Sequence, residues 1–154
     1  MKLFDRTNNR SIEAEVVRLD AKEYDKIEKS GQYVFDWSLE RKNEVFKLVA
    51  LEEQKTIQGL ISLINIPEEL RIHIKLLESA NSNKGKHKKL DHVAGCLVAF
   101  AIQLSFEQGY YGFTSLLPKT QLVPLYKEKY GFSQYGRYLA VEGKEAIKLI
   151  QKYI

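Results

Sequence analysis

Residues 70–107 read LRIHIKLLESANSNKGKHKKLDHVAGCLVAFAIQLSFE, and this stretch decides the fold. From Leu70 to Ser79 the chain alternates. Ile72, Ile74 and Leu76 share one side and Arg71, His73 and Lys75 the other, the pattern of a strand with one wetter face. Beyond Leu90, residues Val93, Leu97, Phe100, Ala101 and Leu104 recur at helical spacing through to Glu107. Asp91 is placed to cap that helix and Gly109 to follow its end. Between strand and helix lies a polar loop, where Lys84-Gly85-Lys86-His87-Lys88-Lys89 holds four lysines and a histidine. A strand, a loop and an apolar helix in this order predict a right-handed parallel crossover to the next strand.

Upstream, Val45–Leu51 and Thr56–Asn65 read as two further strands, joined by the polar Glu52-Glu53-Gln54-Lys55. Ile12–Leu19 is a first strand, with Val16 and Val17 at its centre. Asp20–Lys29 is a short amphipathic helix capped by Asp20, with Gly31 beyond its end, and Trp37 falls in an irregular segment. Downstream, Tyr110–Leu117 is an aromatic, apolar strand and Leu122–Tyr130 a helix ended by Gly131. Pro124 belongs in that helix's first turn, where no backbone hydrogen bond is lost. Phe132–Val141 forms a last strand and Lys144–Tyr153 a closing helix. The order β-α-β-β-β-α-β-α-β-α predicts an α+β fold, a mixed central β-sheet flanked by helices. The 154 residues contain no repeat or linker and read as a single domain, residues 1–154.

Composition narrows the function. With 44% hydrophobic and 29% charged residues the chain is too apolar to be intrinsically disordered. It has no apolar run long enough to span a membrane. The N-terminus lacks the apolar stretch of a signal peptide, and Cys96 is the single cysteine, so a cytoplasmic, reducing location is expected. His73, His87 and His92 are too scattered to suggest a metal site. The formal charge of +4 is mild, and its excess sits in the lysine loop. Helix-start amides, the helix dipole and nearby lysines together make an anion site, with phosphate the commonest candidate. A solvated loop that uses lysine for solubility is the alternative reading.

Several motifs in this order resemble those of the GNAT superfamily of N-acetyltransferases. That family binds the pyrophosphate of CoA through a loop of pattern Arg/Gln-x-x-Gly-x-Gly/Ala that opens its central helix. Counting back from the similar helix end Glu107-Gln108-Gly109-Tyr110 places this loop at Lys89-Leu90-Asp91-His92-Val93-Ala94. Lys89 takes the Arg/Gln position, Ala94 the last Gly/Ala position, and His92 the place of the middle glycine, while Gly95 allows a shifted register. Ile57-Gln58-Gly59-Leu60-Ile61 is similar to the family's apolar strand with a central glycine. Leu125-Tyr126-Lys127-Glu128-Lys129-Tyr130-Gly131-Phe132 is similar to its "FYEKLGF" segment, with one extra residue before the glycine.

The resemblance implies acetyl-CoA as co-substrate and acetyl transfer to a primary amine through a ternary complex, with no covalent acyl-enzyme. Acetyl-CoA would lie in a V-shaped gap between the Leu70–Ser79 and Tyr110–Leu117 strands. Lys84, Lys86, Lys89, His92, Val93, Ala94 and Gly95 are its expected binding residues. Tyr126 is the expected acid for the departing thiolate. Glu78 shares parity with Ile72, Ile74 and Leu76, so it is expected to face inward with a raised pKa, as a general base needs. His73 and His92 rank behind it as bases, and Cys96 reads as a small buried apolar group. A non-catalytic CoA-binding or interaction module on the same fold is the competing reading. Nucleic acid is the lowest-ranked partner and no membrane partner is expected. A homodimer is compatible with the sequence, and the amine acceptor is not legible in it.

Overall fold

A computed structural model describes residues 1–118 and 122–154. In chain order it contains β1 (Lys2–Asp5), β2 (Arg10–Arg18), α1 (Glu23–Ser30), β3 (Glu44–Ala50), β4 (Gly59–Ile66), β5 (Arg71–Ser79), β6 (Leu90–Asp91) and α2 (Val93–Glu107). There follow β7 (Thr114–Leu116), α3 (Val123–Tyr130), β8 (Ser133–Tyr135), β9 (Tyr138–Val141) and α4 (Gly143–Tyr153). The strands hydrogen-bond in the order β6-β1-β2-β3-β4-β5-β7-β9-β8, a mixed sheet accompanied by four helices. The expected parallel pairing is present, because β5 pairs with β7 in parallel while β1–β2, β2–β3, β1–β6, β7–β9 and β8–β9 are antiparallel. No helix among the described residues is long and apolar enough to cross a membrane. The chain divides into two compact units, and the boundary falls within β4, β5 and α2.

The first unit comprises Met1–Ser62 and Leu76–Leu97. Helix α1 starts at Glu23, three residues beyond the Asp20 expected to cap it, and its N-cap residue, Lys22, makes no side-chain cap hydrogen bond. The Asp20 side chain accepts from the Lys22 amide at 3.1 Å and the Glu23 carboxylate reaches back to the Asp20 amide at 3.0 Å, while Gly31 ends the helix at φ 68°. Tyr24 and Ile27 turn inward to a core of Leu19, Trp37, Val45, Ile57 and Leu60. Trp37 itself opens a one-turn 3-10 helix, Trp37–Glu40, whose Ser38 amide is capped by the Asp36 side chain. Two elements escape a pattern reading. Strand β1 has one fully buried side chain, Leu3, and β6 is two residues long, so neither shows periodicity.

Gly59 sets how closely α2 lies on β4. A Cβ there would fall 2.7 Å from Val93 Cγ1, 3.0 Å from Leu97 Cδ1 and 3.4 Å from the Glu78 carbonyl oxygen. Only a hydrogen fits. The helix itself is apolar around its circumference, with Cys96, Leu97, Val98, Ala99, Ala101 and Ile102 all fully buried, which is why it supports close packing on more than one side. Burial pushes the Cys96 thiol up to about 12, as suits a small apolar filler.

The second unit comprises Leu63–Lys75 and Val98–Ile154. Its strand β7 is shorter than Tyr110–Leu117. Tyr111 and Gly112 take positive φ (56° and 76°) and Phe113 N–H closes a turn onto Tyr110 O, so residues 110–113 are not strand. The expected strand Phe132–Val141 is likewise two strands, β8 and β9, folded at Gly136 (φ 60°) so that Tyr135 pairs with Tyr138. Pro124 does sit in the first turn of α3, and Gly131 (φ 71°) ends it. Lys144–Tyr153 is helical as expected, with Ala146, Leu149 and Tyr153 buried.

Gly59→Ala is expected to lower stability by ~1–3 kcal/mol through overpacking. Urea melts of Gly59→Ala, Val93→Ala and the double variant form a cycle, and trimming Val93 should recover part of the loss. Simple additivity would place the cost elsewhere than at the Val93 methyl.

Candidate active site

The lysine loop is built on a fixed stem within the first unit. After β5 the chain makes a single 3-10 turn, Asn81–Asn83, whose buried Asn83 amide donates to Gln58 O (3.1 Å) and Gln58 Oε1 (2.9 Å). Asn83 Oδ1 in turn accepts from the Leu90 amide at 3.1 Å, and Lys89 N–H donates to Ser82 O at 2.9 Å. Residues 84–88 therefore project from a closed base. Strand β6 then pairs with β1 through Phe4–Asp91 and Asp5–Leu90, and Arg6 N–H donates to Lys89 O.

Asp91, expected to cap α2, instead lies in β6, and its Oδ1 accepts from the adjacent His92 amide at 2.8 Å. His92 makes the turn into the helix. Its φ is 76°, the left-handed region that glycine enters most readily, at the position where the resemblance expects glycine. The imidazole is exposed, and the next three amides, of Val93, Ala94 and Gly95, open the first turn of α2.

The lysines divide. Lys86 and Lys89 are exposed on the loop. Lys88 is paired with Asp91 at 3.7 Å. Lys84, expected at the cofactor, points back to Glu78 instead, with Nζ 2.9 Å from Oε2.

Glu78 faces inward, as its parity in β5 predicts, and its side chain is almost completely buried. Its expected raised pKa is reversed. Burial pulls the value up, but four donors outweigh it and hold the carboxyl below the ordinary range. Beside Lys84 these are the Val34 amide at 2.7 Å, the Phe35 amide at 3.2 Å and the Trp37 indole Nε1 at 2.9 Å. All three come from one segment, over 40 residues upstream.

That segment walls a cavity of about 280 Å3, lined by Tyr24, Glu28, Tyr33, Phe35, Asp36 and Trp37 among others. Aromatic faces beside carboxylates suit a cationic guest. One cation already stacks nearby, the Arg41 guanidinium 4.6 Å over the Tyr24 ring. Sequence reading passes over this site because its residues lie in an irregular segment and a short helix. Its one signal is the single tryptophan there.

Two other sequence candidates lie in the second unit. Tyr126, on α3, packs against Tyr130 and Phe132 with centroids 5.7 Å away, and burial raises its hydroxyl's pKa, so it is protonated at neutral pH. His73 belongs to a polar cluster on β5, β7 and β9. Arg71 Nη1 donates to Ser115 Oγ at 2.6 Å, which lies 2.9 Å from His73 Nδ1, and the Tyr138 ring stacks edge-on against the imidazole. Arg71 Nη1, which can only donate, also lies 3.3 Å from Nδ1, so Nδ1 is an acceptor, Ser115 donates its proton to it, and the imidazole is neutral. Burial first, then Arg71, lowers His73 to about 4.

These shifts separate in pH. His73 is neutral in the fold and takes a proton near 6.5 once unfolded, so its contribution falls away as pH drops from about 6.5 to about 4. Glu78 stabilises above the ordinary carboxylate range and loses that contribution only as pH falls through its lowered value. Urea melts across pH should therefore show the upper part of the acid loss vanish in His73→Asn, whose Oδ1 replaces Nδ1. Glu78→Gln should cost ~1–3 kcal/mol at pH 7 and flatten only the lower part.

No family model matches the chain, and no curated protein matches it either. Solved structures do match. The spermidine N-acetyltransferase SpeG of Vibrio cholerae, in complex with CoA and spermine, superposes with a TM-score of 0.61 at 15% identity, covering 87% of this chain and 98% of that one. A GNAT-family acetyltransferase from Staphylococcus aureus Mu50 gives 0.60 at 12% identity, over 86% of this chain and 100% of that one. Nourseothricin acetyltransferase gives 0.57 at 10% identity, over 84% and 98%. At these identities the match is one of architecture: the chain has the fold of the GNAT acetyltransferases.

Proposed function

We propose that the chain, residues 1–154 acting as one domain, is an acetyl-CoA-dependent N-acetyltransferase that acetylates a primary amine through a ternary complex. The observation that carries this is the meeting of two loops at one carboxylate. Glu78 holds the lysine loop through Lys84 and the wall of an aromatic, acidic cavity through Val34, Phe35 and Trp37. The CoA diphosphate would rest on Lys86, Lys89 and the His92, Val93, Ala94 and Gly95 backbone, where the helix dipole favours an anion. The amine would enter the cavity as a cation and must lose its proton before attack. Polyamines are natural candidates for such a cavity, since spermine accompanies CoA in the SpeG complex.

The protonated Tyr126 hydroxyl would supply the proton to the departing thiolate. The four donors on Glu78 favour a second reading, a CoA-binding module without turnover, because a carboxylate held below its ordinary range is a weaker base.

Calorimetry with CoA and acetyl-CoA, followed by acetyl transfer to a panel including spermidine and spermine, separates these readings. Heat with turnover is expected. Heat without turnover would leave the binding module, and no heat at millimolar ligand would end both. Tyr126→Phe should lower kcat about 10²-fold with CoA affinity unchanged, and an unchanged kcat would remove Tyr126 from the chemistry.

A further inference from the structure

Lys84 and Glu78 were each expected to touch the reactants, one on the cofactor and one on the acceptor. The structure joins them to each other instead, at 2.9 Å, with the lysine side chain 39% exposed and the carboxylate 2% exposed. The pair is thus asymmetric: one end is buried and fixed, the other reaches solvent at the foot of the lysine loop. The remaining donors on Glu78, the Val34 and Phe35 amides and the Trp37 indole, are fixed by the chain and carry no net charge. Among the described residues, the titratable groups acting on Glu78 are the Lys84 ammonium and the half-buried Tyr33 phenol, which stays protonated. Lys84 is therefore the variable element.

We propose that Lys84 is a positioning residue exchanged between two anions, held by Glu78 in the free chain and drawn onto the diphosphate when CoA binds, so that cofactor occupancy sets the proton affinity of Glu78. The inference rests on the transferase reading and resolves its difficulty with the base. A diphosphate offers the ammonium more negative charge than one carboxylate, in a better-solvated place. Once the ammonium leaves, burial is opposed only by three neutral donors, and the carboxylate takes a proton more readily. Glu78 does not itself line the cavity, so it then accepts the proton of the acceptor ammonium through water, giving a neutral amine and a neutral Glu78 carboxyl. Without cofactor the same carboxylate is held a weaker base by the ammonium, so deprotonation of the acceptor is favoured once the acetyl donor is bound.

Trp37 is the only tryptophan, and its Nε1–H donates to Glu78 Oε1 at 2.9 Å, so a single indole N–H resonance reports the protonation of this carboxylate. Following that resonance against pH in the full chain, with and without saturating CoA, tests the exchange. CoA should move the midpoint up by about one pH unit or more. In Lys84→Met the midpoint should already be raised without CoA, and CoA should move it no further. Glu78→Gln should abolish the titration, and its persistence there would overturn the assignment. CoA that binds by calorimetry yet leaves the wild-type midpoint in place overturns this inference alone. So does a Lys84→Met midpoint equal to that of the wild type. Absence of any CoA heat overturns the transferase reading and this inference with it.

Discussion

A carboxylate taken almost wholly out of water must be compensated, and Glu78 is compensated four times over. The arrangement is economical because none of the donors is local to β5. Two backbone amides and an indole arrive from the segment after α1, and an ammonium arrives from the loop before α2. An isolated charge at that depth would favour the unfolded chain or a protonated acid. With its partners present, it ties two irregular segments to a strand. Both segments have further hydrogen bonds of their own, and this one acceptor adds a tie that joins them to each other.

The second constraint is steric. Helix α2 is apolar on every side and lies close enough to β4 that position 59 has room only for hydrogen. That close approach fixes where the helix begins, and so where its first amides stand. His92 is then obliged to turn the chain with a positive φ, and it does so without glycine, at a modest backbone cost of ~1 kcal/mol. The dipole, the turn and the lysines thus follow from packing of a buried helix, not from any affinity for a ligand that the chain must first meet.

Much of this was legible in the residues. The alternation of Ile72, Ile74 and Leu76, the helical spacing from Val93 onward, and the Pro124 and Gly131 punctuation of α3 each correspond to an element of the fold. The parallel crossover followed from their order. What escaped has physical reasons. Strands β1 and β6 are too short to show a period, and Gly136 divides what looked like one apolar run. The inward side of Glu78 could be counted from parity, yet its low pKa could not. Its cause lies in donors brought from 41 to 44 residues away, and in a lysine whose place in the basic loop pointed the other way. The aromatic cavity escaped for the same reason: nothing periodic marks it.

The pairing of β6 with β1 has a consequence for how the molecule assembles. The stem of the lysine loop is closed by the most N-terminal strand, and Cys96 Sγ reaches Lys2 O across 94 positions of sequence. Contacts of that separation carry a large entropy of ring closure and come late in folding. Hairpins such as β1–β2 and β8–β9 form from neighbours, whereas the lysine-rich loop acquires its shape only after both ends of this long arc have met. A nascent chain emerging from the ribosome therefore holds its sheet edge open until the ninetieth residue or so has cleared the exit tunnel. During that interval β1 is an unprotected edge, and the short, charged Lys2–Asp5 sequence is well suited to waiting without sticking to its neighbours.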